Sequence, residues 1–259
     1  MSNDLLTIDP QKEKDRIITF LKDTFESQHI SKAVIGVSGG IDSAVSFALL
    51  KEACKPEDIL VAHLYYFESK FGEMEKFVTD CQIPQKNIYH ISIKKAVDII
   101  VELQHIEEDE LKNVRIGNIA ARVRMIVLYD LAKKTNALVC GTENKSENLL
   151  GYFTRFGDQA SDIEPIEHLY KTQIVAMAKF LHIPETIITQ APSAGLWVGQ
   201  TDEGQFGFSY EEADQVLFLH LEKNVSVEEI ESEGYPNAKK IIDWHTSYLF
   251  KHQTPYTIK

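Results

Sequence analysis

Ala33-Val34-Ile35-Gly36-Val37-Ser38-Gly39-Gly40-Ile41-Asp42-Ser43 is the stretch that decides the fold. Its first five residues form a short apolar run that reads as a buried strand. Ser38 to Gly40 break the run, and a helical pattern resumes over 42–53. A strand, a glycine turn and a helix together make a recipe for holding phosphate. Glycine lets the backbone come close to a ligand. The N–H groups and the dipole of a helix N-terminus favour an anion. Ser38 and Ser43 add hydroxyl donors. Asp42 would repel bare phosphate, so its presence points to a magnesium ion between the two. The rival reading is a plain strand-to-helix turn capped by Asp42 or Ser43. The loop is neither GxxxxGK[ST] nor GxGxxG.

Working outward, residues 10–28 carry helical spacing through Ile17, Ile18, Phe20, Leu21 and Phe25. Strands are predicted over 59–66, 88–93 and 137–142, and helices over 69–81, 94–103 and 107–135. Strands alternating with helices predict an α/β fold, a parallel sheet with helices on both faces. After Thr142 the pattern changes. Residues 144–207 are rich in Gly, Pro, Ser and Asp, with one clear helix over 172–182. Segments 151–164 and 191–207 read as ordered loops, which are more often functional than structural. A helical C-terminal segment follows over 209–223, 227–233 and 237–251. No repeat or linker interrupts the chain, so residues 1–259 are read as one domain.

The 259 residues carry 27 basic and 39 acidic side chains, a net charge of −12. That excludes a broad nucleic-acid surface, which demands clustered Lys and Arg. A site for anions must then be built locally. Cys54, Cys81 and Cys140 are scattered, which suggests neither a disulfide frame nor a zinc site. No apolar h-region and no run long enough to span a bilayer is seen. The expectation is a cytoplasmic protein with no membrane and no nucleic-acid partner.

The loop resembles the PP-loop, SGGxD[ST], of the ATP-pyrophosphatases, which cleave ATP between the α and β phosphates and transfer AMP to an oxygen. Further segments resemble NAD synthetases: Gly117-Asn118, Ala121 to Met125, Gly141 to Glu147 and Gly151 to Thr154. So do Gly157-Asp158, Pro165-Ile166, Leu169 to Thr172 and Pro192 to Glu203. Together with the loop they cover most of residues 10–256. The glutamine-dependent members of that family carry an extra nitrilase-like domain, for which this length leaves no room. The resemblance therefore implies the ammonia-dependent type, with an adenine-nucleotide α-hydrolase-like, Rossmann-like three-layer fold.

It also implies roles. Gly36, Val37, Ser38, Gly39, Gly40, Ile41, Asp42, Ser43, Thr142, Lys171 and Ser193 match ATP positions. Asp42 and Glu147 match magnesium positions, and Asp42 and Lys171 are the catalytic candidates. Arg122, Arg155, Asp162, Phe250 and Lys251 match positions that hold deamido-NAD. The partners implied are deamido-NAD, ATP, ammonia and a second copy of the chain, with the helix over 109–135 as a plausible part of a homodimer interface.

The residues carry readings of their own. Arg122 and Arg124 lie on very different faces of the long helix. Ile119, Val123 and Ile126 form its apolar stripe, with Arg122 flanking that stripe and aimed inward. Glu147 alone would read as a first-turn acid favoured by the helix dipole. Lys171 opens a helix, where a cation is disfavoured unless an anion is near. Ser193 alone reads equally as a turn serine.

Three places depart from the family pattern. Arg155 stands where lysine is usual, and Phe250-Lys251-His252 replaces His-Lys-Arg. Tyr65-Tyr66-Phe67-Glu68 replaces small residues after the second strand.

The implied reaction is adenylation of the nicotinate carboxylate of deamido-NAD, followed by attack of ammonia to give NAD. Asp158 or Asp162 would be placed to take the ammonium proton, and segments 151–164 and 194–207 would act as lids. The rival readings are another PP-loop enzyme, acting on nicotinate mononucleotide or on tRNA, and a nucleotide-binding regulator without turnover.

Overall fold

The computed structural model describes residues 5–67, 71–108, 111–191 and 200–258. Helix α1, Pro10–Gln28, starts where Asp9 accepts the N–H groups of Gln11 and Lys12, with Pro10 preset for the first turn. Ile17, Leu21 and Phe25 repeat every fourth residue and are buried. Strand β1, Lys32–Gly36, leads through the phosphate loop into α2, Ile41–Ala53. Residues Ser43 to Leu50 of α2 are all buried, so this helix is core on every side.

Strand β2, Ile59–Tyr65, is followed by α3, Gly72–Asp80, and strand β3, Ile88–Ser92. Then come α4, Lys94–Leu103, α5, Lys112–Thr135, and strand β4, Ala137–Cys140. All strands pair in parallel, in the order β3-β2-β1-β4.

Period-2 alternation splits the sheet into two apolar faces. Ala33, Ile35, Ile59 and Val61 join α1, α2 and α7 (Lys171–Phe180) in one cluster. Val34, Leu60, Ala62, Leu64 and Val139 join α4 and α5 in another. The expected parallel sheet covered on both faces is thus observed. A third cluster is helical and C-terminal. It contains Leu150, Tyr170, Phe206, Tyr210, Ala213, Val216, Leu217 and Ile241. Its helices are α9, Asp202–Phe206, α10, Tyr210–Leu217, α11, Val227–Ser232, and α12, Ala238–Tyr248.

Several boundaries differ from the sequence reading. The pattern over 107–135 becomes a helix only from Lys112, after α4 has ended at Leu103. The helix read over 209–223 changes at Phe218 into a wider turn that runs to Glu222. Within 144–207 three more short helices occur: α6, Lys145–Leu150, α8, Glu185–Ile188, and α9. Each is too short to show a 3.6-residue period. No helix among the described residues is long and apolar enough to cross a membrane.

Candidate active site

Strands β2 and β3 lie on one side of β1, and β4 lies on the other. Successive connections therefore leave the sheet in opposite directions between β1 and β4. Ligands of open parallel sheets bind beyond the carboxyl ends of the strands at such a switch point. The loop Val37 to Gly40 leaves β1 there, and Gly141 to Asn144 leave β4.

Gly39 has φ +95°, with open space where a Cβ would stand, so backbone conformation alone selects glycine. Ser43 ties the loop by donating Oγ to the Gly40 carbonyl at 2.9 Å. Ser38 Oγ accepts the Gly40 N–H at 3.2 Å.

Asp42 occupies the first turn of α2. Its Oδ2 accepts the Lys171 Nζ at 2.6 Å. The same ammonium reaches Glu147 Oε1 at 3.1 Å. Asn144 caps α6 by accepting the Glu147 N–H at 3.0 Å, and donates Nδ2 to Asp42 Oδ1 at 2.8 Å. Three sequence-predicted residues from three helices thus meet at one point. The sequence flagged Lys171 as a cation misplaced at a helix N-terminus, and the two carboxylates are its compensating anions.

The charges do not balance. Burial would lower the Lys171 pKa, but Asp42 and Glu147 outweigh it and hold the ammonium protonated. Burial raises the Glu147 carboxyl to about 8 against the pull of Lys171, with Asp42 adding repulsion. With one ammonium for two acidic side chains, Glu147 keeps its proton near neutral pH, and a further cation would let both ionise. Both carboxylates already converge on a single cation. Magnesium binds through one or two carboxylates and completes its octahedron with water and phosphate. The described residues hold no denser group of metal-binding side chains, and the Asp42–Glu147 pair fits that pattern.

Other expected residues lie elsewhere or are engaged differently. Arg122 is exposed, with its Nε 3.3 Å from the Arg155 carbonyl. Arg124 is the arginine directed inward, donating Nε to the Leu64 carbonyl at 2.9 Å. The inward aim read for Arg122 is therefore corrected. The buried face of α5 is Gly117, Ala120, Ala121, Val123, Leu131 and Ala132, while Ile126 is 60% exposed. Small residues let α5 lie close on the sheet; Val123 of the expected stripe is buried and Ile119 packs against the same cluster, while Ile126 falls outside it.

Arg155 lies over the Phe250 ring, 5.2 Å from its centre. Lys251 donates to the carbonyls of Gly151 and Phe153 at 2.5 and 2.8 Å, so its ammonium braces backbone. Asp162 accepts the Val139 N–H at 2.7 Å beside the end of β4, and Thr142 is half-buried. Ser193 and the 194–199 part of the expected lid lie outside the described residues, as does Glu68.

The sequence reading missed Ser146, Asp214, Glu143 and Glu164. Asn144-Lys145-Ser146-Glu147 followed by Gly151 was a usable start and stop signal for a short helix. Nothing local marked Asp214.

The NAD synthase family profile matches residues 13–255. The chain belongs to the NAD synthase family. The NH(3)-dependent NAD(+) synthetase of Fusobacterium nucleatum is 40% identical over 92% of this chain and 90% of its own length. The enzyme of that name from Wolinella succinogenes is 41% identical over 90% of this chain and 88% of its own. Among solved structures, the NMN synthetase from Francisella tularensis superposes with a TM-score of 0.82 at 31% identity. It covers 98% of this chain and all of its own. The NH3-dependent NAD synthetase from Campylobacter jejuni gives 0.78 at 31% identity, covering 97% of this chain and all of its own.

Proposed function

We propose that this NAD synthase family member amidates deamido-NAD with ammonia, using ATP, and releases NAD, AMP and pyrophosphate. The nicotinate carboxylate oxygen attacks the α-phosphorus of ATP, and the bond to pyrophosphate breaks. Ammonia then attacks the acyl carbon of the resulting adenylate, the bond to AMP breaks, and the nitrogen loses its extra proton. The observation that carries this reading is the Asp42–Lys171–Glu147 cluster beside the glycine loop at the β1/β4 switch point.

Each residue has a task under this reading. The loop from Gly36 to Ser43 would cradle the phosphates, with Thr142 and Ser193 adding ATP contacts. Lys171 would turn from its carboxylates to the phosphate oxygens, where a buried ammonium stabilises developing charge. Asp42 and Glu147 would hold magnesium, which supplies charge neutralisation on the polyphosphate. Arg122, Arg155, Asp162, Phe250 and Lys251 would line the dinucleotide side. There, exposed Arg122 and the Arg155–Phe250 pair offer a guanidinium and a stacking surface.

Residues 1–259 would form one domain, working in the cytoplasm as a homodimer. The 60% exposure of Ile126 on α5 and the 62% exposure of Leu111 just before it suit burial by a second copy. Sedimentation would check this.

The likeness to the Francisella NMN synthetase favours a second acceptor, nicotinate mononucleotide. One assay separates the readings. ATP, magnesium and ammonium are supplied with either deamido-NAD or nicotinate mononucleotide, and AMP and amide product are measured together. AMP and NAD in equal amounts are expected from deamido-NAD. AMP formed only with the mononucleotide would replace the substrate, and no AMP with either would remove the enzyme reading.

A further inference from the structure

Asp214, on α10, is fully buried, yet its carboxylate reaches the first turns of α6 and α7, two of the three helices that carry the site. Its Oδ1 accepts the Ser146 hydroxyl at 2.5 Å. Its Oδ2 accepts both the Thr172 N–H and the Thr172 hydroxyl at 2.8 Å. Ser146 Oγ in turn accepts the Lys171 N–H at 2.8 Å. Ser146 is the residue before Glu147 on α6, and Thr172 is the residue after Lys171 on α7.

We propose that Asp214 is a positioning residue that holds Lys171 in register with Glu147. The inference rests on those two side chains forming the working site. The carboxylate closes a ring: from Asp214 to Ser146, from Ser146 to the Lys171 backbone, and from Thr172 back to Asp214. Each link is a hydrogen bond at the start of a helix, where N–H groups have no carbonyl partner within the helix. The anion also lies at the positive end of the α7 dipole.

Three donors meet two oxygens, and only an ionised carboxylate accepts from all of them. An amide would keep one acceptor oxygen and turn a donor NH2 toward the other group. The ring joins the C-terminal helical cluster to the phosphate end of the sheet, so that cluster is a mechanical part of the site. Lys171 has a long flexible stem, and only its backbone anchor fixes where that stem begins. A small shift of α7 against α6 would misplace the ammonium relative to both carboxylates.

The test is Asp214→Asn, which conserves volume, assayed for AMP release with deamido-NAD beside wild type and Lys171→Ala. Circular dichroism and melting report the folded fraction. Positioning predicts that kcat per folded molecule falls about 10- to 100-fold. The magnesium half-saturation rises, and KM for deamido-NAD changes little. A purely structural role predicts a lower melting temperature with wild-type kcat and magnesium dependence in the folded fraction, and that result overturns the proposal.

Should Asp214→Asn not fold, Thr172→Val removes one of the three donors and keeps the backbone bond. A kcat lowered about threefold or more is expected, and a wild-type kcat and magnesium dependence would overturn the proposal. Loss of turnover in Lys171→Ala with unaltered Asp214→Asn sinks the positioning role alone. Full turnover in Lys171→Ala removes the site reading and this inference with it.

Discussion

Asn144 and Asp42, 102 residues apart in the chain, are joined by a 2.8 Å hydrogen bond from amide to carboxylate. The same amide caps the helix that carries Glu147. One buried side chain therefore fixes the orientation of one acidic residue and the backbone of the other. It also leaves Asp42 Oδ2 for Lys171.

Two substitutions separate these tasks. Asn144→Ala loses both, and is expected to cost about 1 kcal/mol of stability from the cap as well as turnover. Asn144→Asp keeps a good cap but sets a second anion against Asp42. Thermal melting should show Asn144→Asp as the less stable of the two above pH 7, where its buried carboxylate is ionised beside Asp42, while AMP release stays low in both. Turnover in Asn144→Asp equal to wild type would show that the Asp42 contact does not matter.

Lys171→Ala should destabilise the ligand-free protein, because Asp42 and Glu147 lose the ammonium they share. Breaking a buried ion pair from one side costs about 3 kcal/mol or more. The loss should be smaller at low pH, where Glu147 takes a proton. Magnesium at millimolar concentration should recover part of the melting temperature, and an unchanged melt with magnesium would speak against the Asp42–Glu147 metal pair.

The Glu143–Glu164 pair gives stability a defined pH dependence. Burial, then the neighbouring Glu164, raises Glu143 to about 9. Burial raises Glu164 to about 8, opposed by hydrogen bonds from Ser161 and the Glu143 N–H. Both carboxyls ordinarily titrate near 4.5. Above that pH the unfolded chain releases protons that the folded chain keeps, so stability falls as pH rises from 4.5 to about 8. Glu164→Gln removes its share, up to about 1.4 kcal/mol per pH unit. Denaturant titrations at several pH values should give a shallower decline for the variant. Parallel declines would contradict the assignment.

Gly151 ends α6 with φ +61°, and a Cβ there would lie 2.4 Å from the Tyr248 Cβ. Gly151→Ala should lower stability by about 2 kcal/mol through strain and overpacking. It should also disturb Lys251, which donates to the Gly151 carbonyl. A melting temperature within a degree or so of wild type would contradict this close approach.

The strand, the glycine turn and the helix around Ser38–Ser43 were legible because each is written locally, in an apolar run, a positive-φ glycine and a resumed helix. So was the alternation that yields a parallel sheet. The misplaced charge of Lys171 was legible too, since a helix start disfavours a cation. Helix α6 was legible only as a helix start at Glu147 and its extent was not, because six residues cannot show a period, although Asn144 and Gly151 bracketed it. Arg122 and Arg124 were assigned to the wrong sides because Ile126, counted in the apolar stripe, stands exposed, while Ala120, Val123 and Leu131 face the core.

The sequence by itself pointed to an anion site after β1, with Asp42 and Lys171 near it, and the family resemblance added Glu147. Tertiary structure alone decided their arrangement. One ammonium is shared by two carboxylates, Asn144 bridges Asp42 to α6, and Asp214 ties α6 to α7. The physical reason is separation along the chain. Asp214 meets Ser146 across 68 residues and Thr172 across 42. No local pattern encodes a hydrogen bond whose partners meet only after the sheet, its covering helices and the C-terminal cluster have packed together.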